Sequence, residues 1–217
     1  MFTSLSFLDK CLIQADQILR FFTMDASKAI PSREYPVNTT SDSEQTLLSE
    51  EKRLSGALMR INHTGEVCAQ ALYQGQALTA RDDSLRLTMQ QAAEEEIDHL
   101  IWCEKRLQEL QSRPSHLNSV WYLGSLSMGI IAGIAGDKWS LGFLAETEQQ
   151  VAEHLNSHLQ QLPSNDNPSR QIVEQMKIDE QKHADTAMRA GAEELPFVVK
   201  MGMRMASKIM TSITYYL

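Results

Sequence analysis

The spacing Glu-x-x-His occurs twice in this chain, as Glu96-Ile97-Asp98-His99 and Glu180-Gln181-Lys182-His183, each time with an acid directly ahead of the glutamate, Glu95 and Asp179. On a helix, positions i and i+3 share a face, so each stretch presents a carboxylate and an imidazole together. That is half of a metal site, present twice. A four-helix bundle that binds two metals needs two such helices and two more that each bring one glutamate. Glu66 stands 30 residues before Glu96 and Glu148 stands 32 before Glu180, so the chain reads as two similar helical hairpins. With 17 Glu and 6 His, a single Glu-x-x-His is a chance event; two, each with a preceding acid and an upstream glutamate at nearly equal distance, are not.

A chain of 217 residues can bury one good-sized core. Its net charge of −8 argues against a nucleic-acid partner, which calls for a basic domain or stripe. Part of that acidity is expected inside, because ionised Glu66, Glu96, Glu148 and Glu180 would repel one another in a low-dielectric core unless cations neutralised them. Cys11, Cys68 and Cys103 form neither a Cys-x-x-Cys pair nor an even framework. Small buried thiols in a reducing compartment are the expectation for Cys68 and Cys103. The N-terminus has no basic region followed by a long apolar run and a cleavage site, so an intracellular protein is expected.

Along the chain, residues 4–23 carry an apolar stripe at helical period (Leu5, Leu8, Leu12, Ala15, Ile18, Leu19, Phe22), which predicts an amphipathic lead helix within 1–24. Residues 25–42, with Pro31 and Pro36, read as a linker. The body, 43–217, is expected to be all-α. Its first helix runs from about 43 to 80, with Gly65 beside Glu66 implying close approach of a neighbour or of the metal centre. Its second runs from about 84 to 111 and stops ahead of Pro114. The third runs from about 115 to 161 with a break at Gly136, and the fourth has Asn167 as N-cap, Pro168 at the first helical position and a stop at Gly191. A last helix covers 196–217. No strand pattern is present. Two antiparallel hairpins packed together make a ferritin-like four-helix bundle, with an N-terminal amphipathic helix and a C-terminal basic helix.

Four carboxylates with two imidazoles suit a di-iron or di-manganese centre better than zinc, and such a pair favours oxygen chemistry. Glu95 and Asp179 lie four residues before His99 and His183 on the same helical side, and are candidates to hold the free N–H of a metal-bound imidazole. Glu146, Glu148 and Glu153 all lie on the third helix, and spacing alone does not select among them. His63, three residues before Glu66, lies within reach of the same face, although a full ligand shell would leave oxygen no way in. His116, His154 and His158 have no partner at ligand spacing, and surface or core roles are the default for His116 and His158.

Arg60-Ile61-Asn62-His63-Thr64-Gly65-Glu66, Glu96-Ile97-Asp98-His99, Thr147-Glu148 with Ala152-Glu153-His154, and Asp179-Glu180-Gln181-Lys182-His183-Ala184-Asp185 together resemble the demethoxyubiquinone hydroxylase family, over roughly residues 50–217. The resemblance implies two iron ions bound by Glu66, Glu96, His99, Glu148, Glu180 and His183, with Glu96 and Glu148 or Glu180 as bridges. It also implies hydroxylation of 2-polyprenyl-3-methyl-6-methoxy-1,4-benzoquinol with dioxygen in ubiquinone biosynthesis, using an electron donor such as NADH or the quinol itself, alongside other ubiquinone-biosynthesis proteins. Where that family has a tyrosine after the histidine matching His154, this chain has Leu155.

A polyprenyl quinol lives in the bilayer. Residues 117–136 carry no charge but include four glycines and three serines, a poor spanning helix. Trp121, Met128 and Ile131 are expected to line an apolar access route or the membrane surface. Lys200, Arg204 and Lys208 form a basic stripe beside Val199, Met203, Met210 and Ile213, which suits an anionic interface, and a peripheral protein on the cytoplasmic face of the cell membrane is expected. The rival readings are a ferritin-like iron-storage or peroxide-scavenging protein and a non-catalytic helical interaction protein.

Overall fold

The computed structural model describes residues 31–37 and 47–217; the expected lead helix, Cys11 and most of the expected linker lie outside them. The described residues form six helices: α1 Ser49–Thr79, α2 Asp83–Glu109, α3 Asn118–Ala135, α4 Asp137–Gln161, α5 Asn167–Arg189 and α6 Phe197–Thr214. No strand occurs among them. Helices α1, α2, α4 and α5 make the ferritin-like bundle. Its hairpins are α1 with α2 and α4 with α5, and α3 is the link that carries the chain from one to the other, packed along α1.

Local chemistry sets the boundaries. Asp82 caps α2 by accepting from the backbone N–H groups of Ser84 and Leu85. The cap of α5 is Asp166, whose carboxylate accepts from the Ser169 N–H. This moves the expected cap one residue back, placing Asn167 and Pro168 in the first turn, where a missing N–H costs nothing. Gly191 stops α5 in the left-handed region at φ 94°, and Gly136, at φ 129°, breaks α3 from α4 at the expected point. At that corner Asp137 accepts from the backbone N–H groups of Arg81 and Asp82 and ties it to the α1–α2 turn.

Glycines also set the α1–α3 approach. A Cβ on Gly129 would overlap the Leu72 carbonyl, and one on Gly75 the backbone of Leu126 and Ile130. The close approach of a neighbouring residue, one of the two expectations for Gly65, is not found: nothing lies within 4 Å of where its Cβ would stand, and Gly65 lines a cavity that also reaches Glu66. The mid-helix glycine therefore keeps space open rather than admitting a neighbour.

Two apolar clusters plug the bundle. One gathers Leu72, Tyr73, Leu85, Met89, Leu141 and Leu144; the other gathers Leu58, Met59, Trp102, Leu107, Leu155, Ile172 and Met176. On every bundle helix the carboxylates of interest lie between these two sets. Residues 31–37, within the stretch expected as a linker, are irregular and lie against the bundle, with Tyr35 and Val37 packed on the second cluster.

Candidate metal centre

Between the plugs, four helices deliver six side chains to one buried volume. Glu66, Glu96, His99 and Glu180 form one group and Glu96, Glu148, Glu180 and His183 a second; in each, one donor atom per residue lies within 4.8 Å of all the others. Glu96 and Glu180 belong to both groups. The i, i+3 register within α2 and α5 brings His99 Nδ1 to 3.0 Å from Glu96 Oε2 and His183 Nδ1 to 3.2 Å from Glu180 Oε2. Across helices, His99 Nδ1 is 3.1 Å from Glu180 and 3.6 Å from Glu66, and His183 Nδ1 is 3.5 Å from Glu96. Both Nδ1 atoms thus face the cluster.

The electrostatics are those of a site built for positive charge. Burial, reinforced by the neighbouring glutamates, pushes the carboxyls of Glu66 and Glu148 well above the ordinary range. Burial acts the same way on Glu96 and Glu180, but the imidazoles overcome it and both are held low. Against its own burial, His183 is pushed up to about 12 by Glu180 and Glu96. Among the described residues no N–H or hydroxyl group donates to either oxygen of Glu148, although the residue is buried, and the Glu180 carboxyl beside it pushes it further up. A buried carboxylate left without a donor is costly, and a cation relieves that cost. Oxygen-rich donors with two imidazoles fit a divalent transition metal.

The outer acids are arranged crosswise, contrary to the same-helix pairing their spacing implies. His99 Nε2 is 3.1 Å from Asp179 Oδ2, and His183 Nε2 is 2.7 Å from Glu95 Oε2, so each helix supplies the acid for the other helix's histidine. Each ring turns Nδ1 toward its own glutamate, which aims Nε2 over the opposite helix. His99 and Arg33, against the opposing effect of burial, hold Asp179 at about 2. The two residues that sequence reasoning missed are Arg33 and Asp98. Arg33 Nη1 donates to Asp179 at 2.7 Å, and its Nε donates to Asp98 at 3.2 Å. Arg33 lies in an aperiodic segment, where no pattern could mark it.

Of the three acids on α4, Glu148 enters the cluster. Glu146 is buried beside Lys200 Nζ at 3.3 Å, and Glu153 lies 3.5 Å from Arg204. His63 is buried elsewhere, with Nδ1 at 3.2 Å from Asn118 Nδ2 and Nε2 at 3.8 Å from Glu104. His158 is a core residue hydrogen-bonded to Asn62 at 2.7 Å, and His116 is exposed. Cys103 is buried as expected, whereas Cys68 is only half-buried.

A cavity of about 430 Å³ reaches Glu66 from the surface between α3 and α6. Trp121, Met128, Gly124 and Ser125 form one wall, Phe143, His154 and Leu155 the inner side, and Met203 and Met210 the α6 side. Ile131 does not line it and is exposed, together with Val120, Leu123 and Ile134 of α3. The basic stripe is partly spent on α4, since Lys200 and Arg204 pair with Glu146 and Glu153. Met203 and Met210 face inward, and the outward apolar row of α6 is Phe197, Met201, Met205 and Ile209 at four-residue steps. No helix among the described residues is long and apolar enough to cross a membrane.

Fold and site together define a ferritin-like helical bundle with buried Glu/His clusters that could hold a metal. Residues 53–214 match the family described as ubiquinone biosynthesis protein COQ7. A protein of Legionella pneumophila (strain Corby) is 51% identical over 212 residues, 98% of each chain; one of Nitrosomonas europaea is 52% identical over 211 residues, 96% of this chain and 98% of its own; and one of Acinetobacter baylyi is 52% identical over 210 residues, 97% of each. All three are named 3-demethoxyubiquinol 3-hydroxylase. The chain belongs to the COQ7 family. The likeness to these relatives extends beyond 50–217 into the N-terminal segment, and neither the family nor the relatives support the iron-storage or peroxide-scavenging reading.

Proposed function

We propose that this chain is a 3-demethoxyubiquinol 3-hydroxylase whose centre holds two iron ions. Glu66 and His99 would hold one iron and Glu148 and His183 the other, with Glu96 and Glu180, which belong to both groups, within reach of either. The observation that carries this reading is the convergence of six donors, five buried and His183 partly so, in a cluster whose Glu66 is reached by an apolar cavity. Two bound irons would supply the electrons that divide dioxygen between the quinol ring and water.

The protein's own groups do the rest. Glu95 and Asp179 each fix an imidazole by accepting its Nε2–H, which leaves Nδ1 bare toward the cluster. Trp121, Phe143 and Met203 bind the apolar ring and exclude water from it, and Gly65 leaves room for the ring beside Glu66. The prenyl tail leaves between α3 and α6, whose outward faces carry exposed Leu123, Ile131, Met205 and Ile209. Those faces rest on the cytoplasmic side of the cell membrane, with Lys208 toward anionic headgroups. The balanced reaction takes quinol, dioxygen, two electrons and two protons to hydroxylated quinol and water, with NADH or a second quinol as donor.

The test is turnover of a short-tailed demethoxyquinol with NADH under labelled dioxygen. One labelled oxygen in the ring at the position later methylated is expected; unlabelled product, or none from protein loaded with about two irons per chain, would reject the assignment.

A further inference from the structure

One feature of the strap at residues 31–37 reaches the centre itself. Ser32 is fastened to Asp98 of α2 twice, through its N–H at 2.7 Å and its hydroxyl at 2.6 Å. Arg33 then spans two helices. Its Nε donates to Asp98, its Nη1 donates to Asp179 of α5, and its guanidinium carbon lies 4.8 Å from the centre of the Trp102 ring, which itself stands 5.3 Å from His99. The Asp179 oxygen that Arg33 grips is the one facing His99 Nε2. Ser32 and the Nε contact already fasten the strap to α2, so the reach to Asp179 adds nothing needed to hold the strap down. It does hold Asp179 in the rotamer that receives the imidazole N–H.

The other half of the centre lacks this device. Glu95, which meets His183, is 53% exposed against 13% for Asp179, and among the described residues no cation grips it. A side chain in solvent keeps its rotamer freedom and must surrender it each time it orients the ring. The His99 half is therefore pre-organised and the His183 half is not.

We propose that Arg33 is a positioning residue which, by bridging Asp98 and Asp179, fixes His99 so that the half of the centre built on His99 takes up a divalent metal before the half built on His183. This rests on the metal-centre reading given above. An arginine fork can satisfy two carboxylates in different directions at once, whereas a lysine ammonium on a flexible stem is a single point charge. Outer partners of metal-bound histidines are worth about 10- to 100-fold in metal affinity.

The full chain, stripped with chelator, is titrated anaerobically with cobalt(II) and followed by its visible absorption. Two resolved steps are expected. Arg33→Ala should weaken the tighter step by about 10- to 100-fold and leave the weaker one within about threefold. Arg33→Lys, which keeps the charge, should leave a deficit of about tenfold in the same step, and it carries the test if the alanine variant does not fold. Unchanged or tighter first binding in Arg33→Ala, equal weakening of both steps, or full recovery in Arg33→Lys would each overturn the proposal. Failure of the unaltered chain to bind any cobalt would instead reject the centre itself.

Discussion

Asp179 of α5 stands 3.1 Å from Nε2 of His99 on α2, while its own helix's histidine, His183, meets Glu95 of α2 at 2.7 Å. The two helices are thus clasped by a reciprocal exchange of acids. A double-mutant cycle on the metal-free protein measures it: Asp179→Ala with His99→Ala should show a coupling of about 0.5–3 kcal/mol, and Asp179→Ala with His183→Ala clearly less. Equal coupling in the two cycles would mean that the acids act through the cluster as a whole.

Glu148 is buried and, among the described residues, neither of its oxygens accepts from an N–H or hydroxyl group, so in the metal-free protein its desolvation is relieved only by taking up a proton beside Glu180. Glu148→Leu should therefore stabilise the metal-free protein by roughly 1–3 kcal/mol in urea unfolding while abolishing uptake of one metal. A loss of stability in that variant would show that the carboxyl has a partner in solution.

Gly129 and Gly75 let the backbones of α1 and α3 meet, and the cavity wall is built on that approach. Gly129→Ala should cost about 1–3 kcal/mol by overpacking and should impair the use of long-tailed substrate as α3 shifts. Gly65→Ala has free space around its Cβ and should stabilise the fold by up to about 1 kcal/mol through helix propensity. Circular dichroism melts of the two variants make the comparison.

His154 and His158 touch ring to ring, and burial holds their imidazoles down to about 4 and about 3. In the unfolded chain both take up protons near pH 6.5, so between that pH and about 4 the unfolded state binds more protons and stability falls as pH falls. For His158 alone, linkage gives a loss of about 2 kcal/mol between pH 7 and pH 5. His158→Gln should flatten the pH dependence of unfolding in this window by about that amount. An unchanged slope would place the histidine in contact with water.

The repeated Glu-x-x-His and the two upstream glutamates were enough to read an all-helical bundle, because helical register alone decides that positions three apart share a face. The break at Gly136 and the stop at Gly191 were equally legible, since only glycine takes up those backbone angles at no cost. Spacing alone did not choose Glu148 over Glu146 and Glu153; the family resemblance did. All three lie on one helix, and which turn faces the centre depends on how α4 is rotated against its neighbours.

The basic stripe shows the same division. Lys200, Arg204 and Lys208 have the period of a membrane-facing row, yet two of them turn to acids of α4, and the exposed apolar row is 197, 201, 205 and 209. A helix that is apolar on two sides does not reveal from its sequence which side faces out.

The helices and the donors each one carries can be read from the residues in order, because they follow from interactions within four residues along a helix. Who meets whom is set by packing between helices: the crosswise acids, the strap that brings Arg33 to Asp179, and the cavity that reaches Glu66. Those contacts join residues 65 to 146 positions apart or lie between separate helices, and no local periodicity encodes them.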